Sequence, residues 1–407
     1  MIKVLDSVMG TGKTTGIFKM MRNNPDKRYL YISLFLDEVG DGNKNLEGRV
    51  QKELPEMEFK MPKNFGEGKL EALKKLISNR ENIASTHALF SIFDNEVVEM
   101  LVQGEYVLVV DEAVDCVGMY DGVNDSDIQA MLSSEMITLL DNNQLVWNEV
   151  RYPNHSGKYH EVREYCNLGS LFLHKQKILI WEYPPKLLQL LPEVYIMSYL
   201  FEGSVMSCWL KINNLQYEYL DNVGFGLKSE EDVKKVVREC LQLVDSSKLK
   251  ALKQKETAFS SSWYKDNLDK EMAKWVKSIL ESCVVNHKPK GEKVFWTCFK
   301  DYQHKVNGKG FSKAAKGELE PFLPCNTKAT NNYRDYSLCM YTINVYKNPM
   351  EVGYLRERGV EFDKDKYALS EMIQFVWRGC IRQGKPMKLL VLSNRMKKLL
   401  EGWLNDE

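Results

Sequence analysis

Along this chain, short apolar runs alternate with longer segments whose apolar residues recur every three to four positions. Residues 2–5 form an apolar run too short for a helix and read as a buried strand. Residues 16–22 follow with helical spacing. The strand signal returns at 28–34, at 83–86 and at 106–110, and 68–77 carries a helical stripe between the first two. The 106–110 run is continuously apolar and β-rich, the pattern of a strand covered on both faces in a parallel sheet. Runs 177–181 and 194–199 predict two more core strands, with Pro184-Pro185 opening a helix between them. The segment 197–204 then passes from strand to helix.

After about Val223 the pattern starts afresh. Residues 228–245 and 266–284 have amphipathic helical spacing, 293–299, 337–345 and 389–392 predict strands, and 395–404 a last helix. Strand and helix in alternation predict an α/β fold with parallel sheets. The domains predicted are 1–226 and 227–407. One region departs from the alternation. Two β-prone runs, 144–152 and 158–165, flank Pro153-Asn154-His155-Ser156-Gly157 and predict a hairpin insertion at about 144–166. Its Trp147, Arg151, Tyr152 and Tyr159 suit base stacking and suit core packing equally well.

Composition narrows the partners. The 407 residues carry 56 Lys and Arg against 56 Asp and Glu, a formal net charge of zero. Any contact with nucleic acid must therefore come from local patches. One such patch is Lys288, Lys290, Lys293, Lys300, Lys305, Lys309, Lys313 and Lys316 against Glu292 and Asp301, which reads as a phosphate contact or as a solvated loop. Nine cysteines without a C-x-x-C pair predict reduced thiols and neither a disulfide framework nor a zinc site. No run approaches the ~18 apolar residues of a membrane span. The apolar start at Ile2 leads straight into a glycine loop, which leaves no room for a signal peptide. The expected location is the cytoplasm, with no membrane partner.

The glycine loop is Ser7-Val8-Met9-Gly10-Thr11-Gly12-Lys13-Thr14-Thr15, between the first strand and the first helix. Strand, glycine loop, Lys-Thr and helix make a P-loop, G-x-x-x-x-G-K-[ST], with Ser7 in place of the first glycine. Gly10 and Gly12 free the backbone to wrap phosphate oxygens, and the loop N–H groups with the first helical turn make an anion site. Lys13 brings a point charge to the β- and γ-phosphates and Thr14 a hydroxyl to Mg²⁺. Gly10, Thr11, Gly12, Lys13, Thr14 and Thr15 are the nucleotide-binding candidates, and ATP with Mg²⁺ the expected ligands. The strand at 106–110 runs into Asp111-Glu112. Asp111 is the second metal candidate, and Glu112 the group that would orient and polarise attacking water. Near the end of the chain, Gln374, Arg378 and Arg382 are spaced i, i+4, i+8, which predicts one shared helical face opposite an apolar stripe.

In this order the motifs resemble those of a superfamily-two, DEAD-like helicase of the compact bacteriophage type. Gly10-Thr11-Gly12-Lys13-Thr14 resembles motif I and Asp111-Glu112-Ala113 motif II. Residues 33–39 sit at motif Ia, and Ser85-Thr86-His87 resembles the next motif facing nucleic acid. Met197-Ser198-Tyr199 stands at motif III without its usual Ser-Ala-Thr type sequence. Trp296-Thr297 resembles motif IV, Ala329-Thr330-Asn331 motif V, and 374–382 motif VI. Arg382 lies eight residues after Gln374, where the family has seven.

The resemblance implies two RecA-like parallel-sheet domains with a nucleotide cleft between them. It makes Gln374, Arg378 and Arg382 catalytic, with Arg378 neutralising charge on the transferring phosphate. It turns Ser33, Thr86, His87, Thr297, Thr330 and Asn331 toward nucleic acid. It implies an ATP-driven translocase or helicase on single-stranded or forked DNA, or RNA, in phage replication or recombination, in company with other replication proteins. A nucleotide-switched loading or binding module that separates no strands would share every ATPase residue. A packaging ATPase of the terminase type would carry an acidic nuclease cluster after the ATPase, and the sequence has none. The Asp-Glu pair with a distal arginine suits hydrolysis better than a nucleotide kinase.

Overall fold

A computed structural model describes residues 1–64, 66, 68–315, 317–325 and 332–405. The chain divides into two compact units. The first comprises Met1–Asp6, Lys13–Phe225 and Lys347–Asp363, and the second Ser7–Gly12, Gly226–Tyr346 and Lys364–Glu407. The return of Lys347–Asp363 to the first unit is marked by no shift in composition.

The first unit holds strands β1 (Ile2–Asp6), β2 (Arg28–Ser33), β3 (Ile83–Thr86), β4 (Tyr106–Asp111), β5 (Val117–Tyr120), β6 (Ile137–Leu139), β7 (Leu145–Trp147), β8 (Leu171–His174), β9 (Ile178–Glu182), β10 (Glu193–Ser198) and β11 (Tyr217–Tyr219). Six of them form one sheet in the order β11-β1-β10-β4-β2-β3. Every pair in it is parallel. β4 is buried along its whole length, which is why its sequence reads as one apolar run. The register brings the strand ends into a row: Asp6 faces Ser198, Met197 faces Asp111, and Ser33 faces both Asp111 and Thr86. In open parallel sheets this carboxyl edge is where ligands collect.

The second unit holds β12 (Leu241–Val244), β13 (Val294–Thr297), β14 (Leu338–Tyr341) and β15 (Met387–Val391), all parallel in the order β12-β15-β14-β13. Trp296, Phe259, Tyr264, Val276, Ile279 and Leu280 are among its fully buried core. The fold is thus α/β with two RecA-like parallel-sheet units.

Several sequence expectations give way. There is no hairpin at 144–166. β7 pairs antiparallel with β6, and His160–Asn167 is a helix. The turn that decides the pairing lies earlier, at Asp141-Asn142-Asn143. There Asn143 takes a left-handed φ of 66° and the Leu140 N–H donates to the Gln144 carbonyl. Asparagine tolerates that conformation better than most residues. In the helix, Val162 and Cys166 are buried four residues apart, a helical spacing that a reading of β-prone residues overlooks. β9 is also not a strand of the main sheet. It lies between β5 and β8 in a separate antiparallel sheet. The helix expected over 228–245 ends at Cys240 and passes into β12.

The aromatic residues of this middle region pack. Trp147 is buried, and its Nε1–H donates to the Tyr152 carbonyl at 3.0 Å. The Tyr152 hydroxyl donates to the Ser134 carbonyl and the Tyr159 hydroxyl to Asp127. Arg151 is exposed and paired with Glu135. These contacts favour the packing reading for Trp147, Tyr152 and Tyr159.

Candidate active site on the first parallel sheet

The glycine loop has the backbone that the sequence requires. Gly10 and Gly12 lie at φ 86° and 102°, values that side chains resist. The helix Lys13–Arg22 starts at the lysine itself. Ser7, which stands where the pattern has glycine, donates its hydroxyl to Thr11 Oγ1 at 2.9 Å, and Thr11 donates to the Val8 carbonyl at 2.9 Å. Both side chains are buried. The Thr11 hydroxyl therefore braces the loop from inside, and only its backbone remains for a ligand. Thr14 is half-buried and Thr15 exposed, and the Thr15 hydroxyl accepts from Arg49 Nη2 at 3.1 Å.

On the first sheet, Lys13 is buried. Desolvation holds its pKa below the usual lysine value, and the carboxylates of Glu112, Asp111 and Asp6 pull it back up. Asp111 feels the opposite pair of forces. Burial raises its pKa, while hydrogen bonds from Tyr31 and Ser33, with the Lys13 charge, lower it. Both shifts run toward the neutral form, so burial outweighs the attraction between the two groups. Desolvation of buried charges commonly exceeds what their mutual attraction returns.

Asp111 Oδ2 accepts from the Tyr31 hydroxyl at 3.0 Å and the Ser33 hydroxyl at 3.1 Å. Two fixed donors leave the carboxylate one orientation. His87 is buried, and its Nε2 lies 3.0 Å from the Asp111 carbonyl. A carbonyl only accepts, so Nε2 carries the proton. Glu112 sits at φ 69°, a strained conformation for a residue with a side chain, held by its N–H on the Met197 carbonyl at 3.0 Å. Strain of this kind costs ~1–3 kcal/mol and is retained where the neighbours impose it.

Glu38 stands on the short helix Leu36–Val39 just past β2. Burial, with the Asp111 carboxylate next in effect, pushes its pKa up to about 7, against the pull of Arg49. Arg49 Nη1 lies 3.8 Å from Glu38 Oε1, and the guanidinium rests over the Phe18 ring.

The structure brings Lys13, Asp111 and Glu112 together, with Ser33 and His87 bonded to Asp111. Sequence reasoning missed Tyr31, Glu38 and Arg49. The signal for Tyr31 was present, since Tyr31 and Ser33 are two apart on β2 and so share a face. Ser33 and Thr297 are fully buried and offer a polymer no surface. Thr86 caps the helix His87–Phe90, accepting from the Leu89 N–H at 3.3 Å. Thr330 and Asn331 lie outside the described residues.

The shared face of Gln374, Arg378 and Arg382 does not exist. The helix is Lys364–Val376 and ends before Arg378. The chain turns at Gly379, where a Cβ would stand 2.4 Å from Met387 Sδ and 3.0 Å from the Phe295 ring. This close approach suits glycine at the turn. Gln374 donates to Ser370 Oγ, Arg378 is buried over the Phe375 ring, and Arg382 is exposed on the 3₁₀ turn Cys380–Gln383. Arg378 Nη1 has no hydrogen-bond partner among the described residues, and burial lowers the pKa of the group.

Among the described residues, no group of three or more His, Cys, Asp or Glu could hold a metal ion, and no helix is long and apolar enough to cross a membrane.

Comparison with known proteins bears on kinship. A solved structure, that of S. tokodaii Xpd4, aligns over 99% of this chain and 93% of its own length, with a TM-score of 0.47 and 11% identity, too weak a likeness to carry an argument. The family model of the YonV middle domain matches residues 120–181, and that of the YonV C-terminal Rossmann-like domain matches residues 235–404. The SPbeta prophage-derived uncharacterized protein YonV of Bacillus subtilis (strain 168) is 30% identical over all of this chain and 99% of its own. With that identity over the full length of both chains, the protein belongs to the YonV family.

Proposed function

We propose that this protein is an ATP hydrolase that drives movement along, or separation of, nucleic-acid strands. The observation that carries the reading is the buried Lys13 in the field of Asp111 and Glu112, with the Asp111 carboxylate fixed by Tyr31 and Ser33. Buried, mutually perturbed charges in such a setting cluster at functional sites. Lys13 and the N–H groups of the loop bind the phosphates. The hydroxyl of Thr14 and the carboxylate of Asp111 are hard oxygen donors of the kind Mg²⁺ takes. Mg²⁺ held there would neutralise charge on the β- and γ-phosphates. Glu112 orients and polarises the attacking water, and its strained backbone keeps the carboxylate in one place.

Arg378 is proposed as the cation that meets charge developing on the transferring phosphate. A buried guanidinium with an unpartnered Nη1 is costly to keep without an anion to bind. Gln374 and Arg382 have weaker claims. Thr86, beside the buried His87, is the candidate on the first unit for contact with a strand. Single-stranded or forked DNA, or RNA, is the proposed partner. The prophage-derived relative is consistent with a phage setting for that activity.

The test is ATP turnover with single-stranded DNA, duplex DNA, RNA or no polymer, at low and moderate salt. A translocase gains from coupling hydrolysis to its track, so single strands should raise turnover several-fold, and ATP and strand should tighten each other's binding. Equal rates throughout, with no polymer bound at low salt, would leave a nucleotide switch with some other partner.

A further inference from the structure

Immediately after β13, the chain turns at the carboxyl edge of the second sheet and runs back along the helix Lys270–His287. Lys300–Tyr302 is a 3₁₀ turn and Gln303–Val306 a short helix. In this stretch the residues that face inward and those that face outward are sharply sorted. Val306 and Phe311 are buried in the unit's core, and the Phe311 carbonyl accepts from Trp296 Nε1 at 3.0 Å. The Lys309 N–H donates to Glu281 Oε1 at 2.8 Å on the long helix Lys270–His287. These contacts fix the backbone. Lys300, His304, Lys305, Lys309 and Lys313 are all exposed.

No ammonium among these four lysines is in an ion pair with a described residue. Lys305 has only the face of Tyr302, 5.5 Å from its ring centre. The acids nearby are Asp301, which is exposed, and Glu281, whose carboxylate is taken up by a backbone N–H. Lysines elsewhere show the alternative: Lys74 is bridged by Glu71, Asp94 and Glu96, and Lys347 by Asp115 and Glu351. Tyr302 is half-exposed and stacked on Tyr264, with 5.5 Å between ring centres. Exposed lysines without an ion pair to a described residue, carried on a backbone fixed by buried contacts, suit the phosphates of a single strand.

We infer that Lys300–Lys313 is a docking surface for single-stranded nucleic acid, with Lys305, Lys309 and Lys313 on backbone phosphates. The inference rests on the reading of the protein as a nucleic-acid ATPase and gives that reading its surface on the second unit. The lysines provide charge without base readout, so binding is independent of sequence. It falls with salt in proportion to the phosphates met.

The experiment measures anisotropy of a labelled twenty-nucleotide oligo-dT at several salt concentrations. It compares the full chain, the Lys305→Gln/Lys309→Gln/Lys313→Gln variant, the matching Lys→Arg variant, and a control with Lys235→Gln, Lys253→Gln and Lys398→Gln, which are exposed elsewhere on the same unit. The glutamine variant of the surface should lower the slope of log affinity against log salt by about 2, at about 0.7 per single-strand phosphate lost. It should also weaken binding roughly tenfold or more at moderate salt. The arginine variant and the control should stay near the parent, and all four should keep equal basal ATP turnover and melting temperature. Oligonucleotide binding by the parent, with the surface and control variants alike, would overturn the docking surface alone. No binding by the parent at low salt would overturn the nucleic-acid reading beneath it. Retention on anionic lipid vesicles through these lysines, without oligonucleotide binding, would overturn both.

Discussion

The two parallel sheets share an architecture and end in opposite ways. The carboxyl edge of the first gathers acids: Asp111 buried under two hydroxyls and Glu112 in a strained backbone, both beside the buried Lys13, and Glu38 largely out of water next to Asp111. The chain that leaves the carboxyl edge of the second carries lysines in solvent without an ion pair to a described residue. Burial makes charge expensive and its geometry exact enough for chemistry, while exposure makes it cheap, mobile and suited to a polymer. The first edge has the character of a reaction centre and the second that of a holding surface. Substitutions should separate them.

The largest effect belongs to the first edge. Lys13→Ala should abolish ATP binding or turnover, and Glu112→Gln should bind ATP yet turn over at least ~100-fold more slowly, a loss of ~3 kcal/mol of transition-state stabilisation. Single-turnover kinetics with nucleotide affinity measured in parallel checks both. Normal hydrolysis by Glu112→Gln would remove Glu112 from the chemistry and with it the contrast between the edges.

Arg378 breaks the symmetry of the comparison, because it is a buried cation on the second unit. Arg378→Met keeps most of the side-chain volume while removing a charge whose Nη1 has no described partner. Turnover should fall by tenfold or more with ATP affinity little changed, since the group acts on charge that develops late. The melting temperature should hold or rise, because the desolvation cost disappears. A large loss of stability with unchanged turnover per folded molecule would make Arg378 a structural residue.

What could be read in the sequence follows the same division. The glycine loop, β4 and its Asp111-Glu112 exit are local in the chain, and their backbone and burial follow from a few adjacent residues. The support for Asp111 is not local. Tyr31 and Ser33 reach it only because β2 pairs with β4, a register that no nearby residue specifies. The middle region was misread because Asn143 makes the turn and not the Pro153–Gly157 signal. The helix expected through Arg382 stops at Val376, and the chain passes through Gly379, packed close to Met387 and Phe295, into the 3₁₀ turn Cys380–Gln383. Periodicity saw the stripe of Ile373 and Val376 correctly and could not see where packing would stop the helix.

A smaller substitution sharpens the account of the first edge. The Glu38 carboxyl is pushed up to about 7, first by burial and then by the Asp111 carboxylate, from an ordinary value of 4.5. Between those two values the folded protein holds a proton that the unfolded chain has released. The group therefore contributes stability that is fully present below about pH 4.5 and is lost as pH rises through about 7. At ~1.4 kcal/mol per unit the ceiling is ~3 kcal/mol, and water at the partly open side chain brings the expected loss to ~1–2 kcal/mol. Glu38→Gln keeps the shape and never ionises. Urea unfolding at pH 5 and pH 8 should show the parent losing ~1–2 kcal/mol more than the variant over that interval. The same pH dependence in both proteins would mean that Glu38 is well solvated, and that the acids of the first edge are less confined than Lys13 and Asp111 suggest.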